Sequence, residues 1–342
     1  MELQILKIRE TVERLLKAVG LPDGDAVIVA DVFMRATLRG NDHHDLYELP
    51  GRLNQLKAGK VKSKPEITLI HRNKAVENYE GDNGLGELHG VFIAKRSVEL
   101  AKEFGVGICS VRNSNHILAC GPFSEVIAEA GMLGYVLTRG PPTMGAPGRT
   151  EKVIGTTPQS YAVPKNDGTV LAFDACLAYT ANSLLNIYAK ANKPMPPHWC
   201  LDKDGKPTTD AKIVMQEGIR QPIGAHKGFG LTILGEILTG VLSEGQIIDE
   251  AQPGSGIVGQ PSNTAITIDI GGLIGKKTFQ NRISEMIDRM KARAKNLVIP
   301  NERSTAFKKK ALAEGSIEIN DSLIQKLNTL CDQYSIPRLG VR

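Results

Sequence analysis

Five consecutive polar residues, Arg112-Asn113-Ser114-Asn115-His116, follow directly on an apolar, strand-like run from Val106 to Val111. Each brings donors or acceptors that must be paired or solvated, so the segment reads as the working end of a strand. His116 is the one member that exchanges a proton near neutral pH, and the amides and hydroxyl beside it suit fixing its tautomer and holding a substrate. The competing reading is an Asn- and Ser-rich turn that closes the strand. A second candidate is the run Arg39-Gly-Asn-Asp42-His43-His44-Asp45 at the end of a helical pattern. Adjacent residues point in different directions, so the two histidines do not suit a single metal ion, and no metal site is expected. A neighbouring carboxylate would raise imidazole basicity and make His44 a general acid, against the alternative of a histidine capping a helix C-terminus.

Three further motifs concern anions. His226-Lys227-Gly228-Phe229-Gly230 stands just before an apolar helical run, so backbone N–H groups, a lysine and glycines meet at a helix start, which is a recipe for holding phosphate. A glycine-containing loop with a solvated lysine is the plainer reading. Gly84-Leu-Gly86-Glu-Leu-His-Gly90 imitates a dinucleotide fingerprint but fails it: the third glycine is one residue late and no ribose-binding acid follows, so a turn and helix start is expected there. Asp174 follows the apolar run Val170 to Phe173, as a ligand-binding carboxylate at a strand end or as a helix cap. Asp202 to Asp210 lacks the alternation of a calcium loop and reads as a tight turn.

The elements that would position these groups alternate between helix and strand. Apolar spacing predicts a helical hairpin over Leu3 to Val19 and Asp23 to Gly40, and strands at Ile67 to Ile70, Ala75 to Tyr79, Val106 to Val111, Leu133 to Thr138, Val170 to Phe173 and Ala265 to Ile270. Helices are expected near Glu87 to Phe104, Phe123 to Ala130, Ala178 to Ala191, Gly228 to Leu242, Thr278 to Lys295 and again after Pro300. The class is α/β. A net charge of +5 on 342 residues, dispersed and with 5% aromatics, offers no nucleic-acid footprint. The five cysteines form no CxxC pair, which suits a reducing compartment. No run approaches the ~18 apolar residues of a membrane span, so a cytoplasmic, soluble protein is expected.

Taken in order, Leu38 to His44, RNSNH at 112 to 116, Gly-Thr-Thr-Pro at 155 to 158, the Trp199 to Asp210 segment and HKGFG at 226 to 230 resemble the malate/L-lactate dehydrogenase-like family, over nearly the whole chain. This is the non-Rossmann group that includes ureidoglycolate and sulfolactate dehydrogenases and diketogulonate reductase. The resemblance implies a homodimeric oxidoreductase that uses NAD or NADP on 2-hydroxy or 2-oxo acids or related substrates. It implies a mixed-sheet cofactor domain at 121–254 and a helical catalytic and dimerisation domain built from 1–120 plus 255–342. His44 and His116 fall on the proton-transfer positions. Thr138, Thr156, Asp174, Ala175, Cys176, His226, Lys227, Gly228, Pro300, Asn301 and Glu302 fall on cofactor positions. A fold that has kept only nucleotide or metabolite binding is the alternative.

The departures bear on substrate. Ser-His-Gly is here His43-His44-Asp45, and the arginine expected four residues after the histidine, which would hold a carboxylate, is Glu48. Attraction becomes repulsion there. Either Arg52 or Arg139 supplies a relocated clamp, or the substrate carries an amino or polyol group at that end. The plainer account of Glu48 is a solvated residue paired with Arg52 at i,i+4.

Overall fold

The computed structural model describes residues 1–41, 44–250 and 261–340. The N-terminal hairpin forms as helices Ile5–Ala18 and Asp23–Thr37, with Gly20 at φ 97° turning the chain between them. Ile8, Val12, Leu15 and Leu16 recur on one face and are buried against Val29, Ala30 and Phe33. Full burial of each large side chain stabilises by about 1.5–3 kcal/mol. The chain's far end returns to this layer: strand Ser316–Glu318 pairs antiparallel with Glu2–Gln4, and helix Asp321–Gln333 packs on the first helix.

A seven-stranded mixed sheet organises the rest. Its order is Thr68–Asn73, Val76–Glu80, Val106–Arg112, Asn263–Ile268, Leu133–Thr138, Gln159–Pro164, Val170–Ala175. Only the pair Val76–Glu80 and Val106–Arg112 is parallel; every other neighbour is antiparallel. The first four strands come from 1–120 and 261–340 and the last three from 121–250, so the two stretches meet along the central strand. The expected boundary at 254 and 255 lies outside the described residues. Helices Gly86–Phe104 and Gly121–Glu129 lie against the sheet. Gly107 permits this closeness, since a Cβ there would stand 2.0 Å from the Ser97 carbonyl oxygen.

Several elements differ from the sequence expectation. The strand Gln159–Pro164 was not foreseen, because it opens on two polar residues and ends in proline. The strand from Val170 runs to Ala175, two residues past Phe173, which puts Asp174 within the sheet. The helix expected from Ala178 starts at Asn182, and the one expected from Gly228 starts at His226 and loosens into a π turn at Ile237–Val241. The Gly84-to-Gly90 motif is a helix start, as read: a Cβ on Gly86 would meet the Asn115 carbonyl at 2.3 Å, so that glycine lets the helix abut the RNSNH segment. Asp202 closes a turn by accepting from the Asp204 and Lys206 amides.

Candidate active site

Strands Val106–Arg112, Leu133–Thr138 and Val170–Ala175 all run the same way, so their C-terminal ends share one sheet edge. The segments at those ends enclose a cavity of about 270 Å³. His44, His116, Thr138, Arg139, Thr156, Asp174, Ala175 and Cys176 line it, together with Asn41, Asn182 and Arg220.

The two histidine rings face each other with centroids 5.1 Å apart. His116 Nδ1 accepts the Leu118 backbone N–H at 3.2 Å, and Arg52 Nη2 stands 3.2 Å from the same nitrogen. Both partners are obligate donors, so Nδ1 carries no hydrogen and the neutral ring holds its proton on Nε2. Burial, reinforced by the charges of His44 and Arg52, pushes the His116 pKa well below the ordinary imidazole value. His116 is therefore a neutral N–H donor near pH 7. His44 sits at φ 54°, a left-handed backbone rare for a residue with a side chain. Asp42 and His43 lie outside the described residues.

Arg52 is the positioner behind His116. Its Nε bonds Glu87 at 2.7 Å, Nη1 bonds Gln55 at 3.2 Å, and Nη2 bonds the His116 carbonyl at 2.6 Å. It does not line the cavity. The other polar members of RNSNH are engaged within the protein rather than open to a ligand. Arg112 and Asn113 bond Glu80; Ser114 bonds His89 and Asn263; Asn115 bonds Asn83 and Gly84. Burial in that network lowers the His89 pKa to about 4.

Across the cavity, Asp174 accepts the Gly121 amide at 2.7 Å, so this carboxylate also serves the start of helix Gly121–Glu129. Arg139 pairs with Glu236 at 2.9 Å and donates to the Ile248 carbonyl at 3.1 Å, leaving Nη1 buried without a hydrogen bond. Arg220 and Asn182 escaped the sequence reading. Nothing in Gly-Ile-Arg-Gln distinguishes a cavity arginine from a solvated one.

Other expected site residues stand elsewhere. Glu48 is half-buried in the turn Leu46–Glu48, outside the cavity lining and without an ion pair to Arg52, whose partner is Glu87. His226 and Lys227 are exposed at a helix start, and a Cβ on Gly228 would stand 2.1 Å from the Ile223 carbonyl. The amides of Lys227 and Gly228 already donate to the Gly224 and Ile223 carbonyls. Pro300 and Glu302 border a groove with Lys165 and Lys309, and Asn301 borders an adjoining groove with Arg39. Glu302 pairs with Lys291 there and accepts the Ile299 amide. No metal-ligating cluster occurs among the described residues.

The family model described as malate/L-lactate dehydrogenase matches residues 3–328. The malate dehydrogenase of Pyrococcus horikoshii is 30% identical, with 95% of this chain and 93% of that protein covered. The solved sulfolactate dehydrogenase of Methanocaldococcus jannaschii superposes with a TM-score of 0.89 at 28% identity, covering 98% of each chain. Malate dehydrogenase of Entamoeba histolytica, at 22% identity, shares the fold with a TM-score of 0.94 over 98% of this chain and 99% of that one. The chain thus belongs to the malate/L-lactate dehydrogenase family, a family of NAD(P)-dependent dehydrogenases and reductases. No helix among the described residues is long and apolar enough to cross a membrane.

Proposed function

We propose that the protein moves a hydride between a nicotinamide cofactor, NAD or NADP, and the reacting carbon of a small 2-hydroxy or 2-oxo acid, with His116 as hydrogen-bond donor to the substrate oxygen and His44 as the proton carrier. The observation that carries this is the histidine pair at 5.1 Å in one cavity, with the Nδ1 of His116 already committed to two donors. A ring whose second nitrogen is blocked polarises a carbonyl well but takes up a second proton poorly.

The cavity fits the reactive end of such a cofactor, since the Asp174 carboxylate and the Thr138 and Thr156 hydroxyls offer the mixture of donors and acceptors that a carboxamide and a ribose need. When bound, nicotinamide supplies or receives the hydride. In our reading Thr138, Thr156, Asp174, Ala175 and Cys176 hold that end, while His226, Lys227, Gly228 and the Pro300-Asn301-Glu302 segment take parts farther along. With Glu48 standing where an arginine was expected, Arg139 holds the substrate carboxylate through its unbonded Nη1. A homodimer is supported by exposed Leu231, Leu234, Val241 and Leu242 along one helix and its π turn, an apolar surface that a second copy would cover. Oxidation of NADH and NADPH measured against 2-oxo acids, cyclic imino acids and keto sugars tests the reading. Turnover on the first set is expected, and nicotinamide binding without turnover on any would reject it.

A further inference from the structure

Four arginines are buried among the described residues: Arg39, Arg52, Arg139 and Arg220. Three have a carboxylate of their own, Glu125 for Arg39, Glu87 for Arg52 and Glu236 for Arg139. Arg220 has none. It is 7% exposed, it lines the cavity, one terminal nitrogen donates to the neutral Asn182 Oδ1, and its Nε is buried with no hydrogen bond.

The backbone around Arg220 is firmly placed. It ends the short strand Ile219–Arg220, paired with Cys200–Leu201, and its carbonyl accepts the Gly145 amide at 3.1 Å. A guanidinium is always charged, and a buried charge without a counter-ion costs several kcal/mol. Burial presses the Arg220 pKa downward. Such a group wants an anion, and its place on the cavity wall means that the anion comes with the ligand.

We propose that Arg220, oriented by Asn182, is the residue that selects substrate in this cavity: it takes a second carboxylate, so the preferred substrates are 2-oxo and 2-hydroxy acids bearing two acidic groups. This rests on the hydride-transfer reading above, which assigns the first carboxylate to Arg139. A cofactor phosphate has like chemistry, and the experiment separates the two sources.

The test compares oxaloacetate with 2-oxobutanoate, four-carbon acids with and without the second carboxylate, in wild type, Arg220→Gln, Arg220→Met and Arg220→Lys. Wild type is expected to prefer oxaloacetate. Arg220→Gln should lose about 10- to 100-fold in kcat/KM for oxaloacetate, the range of a charge-assisted hydrogen bond, and less than about 3-fold for 2-oxobutanoate, with Arg220→Lys intermediate. NADH and NADPH affinity by fluorescence titration should be unchanged. Without ligand, Arg220→Met should melt no lower than wild type, because it removes an uncompensated charge. Equal loss on both acids, loss of cofactor affinity, a wild type that prefers the monoacid, or an Arg220→Met that melts lower or fails to fold would each overturn the proposal. Calorimetry of L-malate against 2-hydroxybutanoate with NADH present, where no hydride transfer can occur, reads the same selectivity from binding alone. An enzyme inert towards every 2-oxo acid would therefore reject the reaction while still deciding the role of Arg220.

Discussion

The two walls of the cavity treat charge in opposite ways. On the histidine wall, Arg52 is matched to Glu87 and Gln55 and to both polar atoms of His116 that it can reach, so the guanidinium behind the ring is held before a ligand arrives. On the facing wall Arg139 keeps one nitrogen unbonded and Arg220 has no carboxylate partner among the described residues. A buried charge with a protein partner positions something, whereas one without a partner awaits something. In the proposed function the first wall serves the hydride-transfer reaction and the second the molecule on which it is performed.

The largest expected effect would break the first wall. Glu87→Gln strands Arg52 as an uncompensated buried cation and should cost about 3–5 kcal/mol of stability in chemical denaturation. It should also depress turnover, because Arg52 holds His116. A variant as stable as wild type would show that the pair carries no such load. Next, His44→Ala and His116→Ala should each lower kcat by about 10² or more with cofactor affinity within a few-fold. Glutamine sharpens the difference between them: at 116 it restores an N–H donor and should recover part of the loss, and at 44 it cannot carry a proton and should recover nothing. The opposite pattern would exchange their roles. Lys227→Ala tests the cofactor's outer contacts and should weaken NADH binding by roughly 1–3 kcal/mol by calorimetry; unchanged affinity would leave that loop structural. Smallest of all, Glu48→Arg should shift kcat/KM for oxaloacetate by no more than about 0.5 kcal/mol, or twofold, as for a side chain outside the cavity. A large gain would bring Glu48 into the pocket.

The histidine wall was legible in sequence because a polar run after an apolar strand is locally anomalous, and His116 is its one titratable member. Its supports were not: Arg52 and Glu87 are 35 residues apart, and each reads alone as an ordinary helix charge. The polar neighbours of His116 looked like substrate ligands, yet they tie the segment to Glu80, His89 and Asn83. Arg220 was invisible for a deeper reason. Its meaning lies in a carboxylate that is not there, and the lack of a partner is a property of three dimensions. The alternation of helix and strand fixed the α/β class, while the strand order was hidden because the central strand comes from far along the chain.

That central strand has a consequence for how the molecule is made. Asn263–Ile268 hydrogen-bonds to Val106–Arg112 on one side and Leu133–Thr138 on the other, so while a nascent chain stops short of residue 263 the two halves of the sheet have no strand to join them. Until then each half presents an open inner edge, the kind of edge that pairs with foreign strands, and closing the sheet must wait for contacts spanning more than a hundred residues. The cavity at the end of those strands is therefore a late product of synthesis: a chain cut just before Asn263 would own both histidines and every cavity arginine, yet would have no site in which to use them.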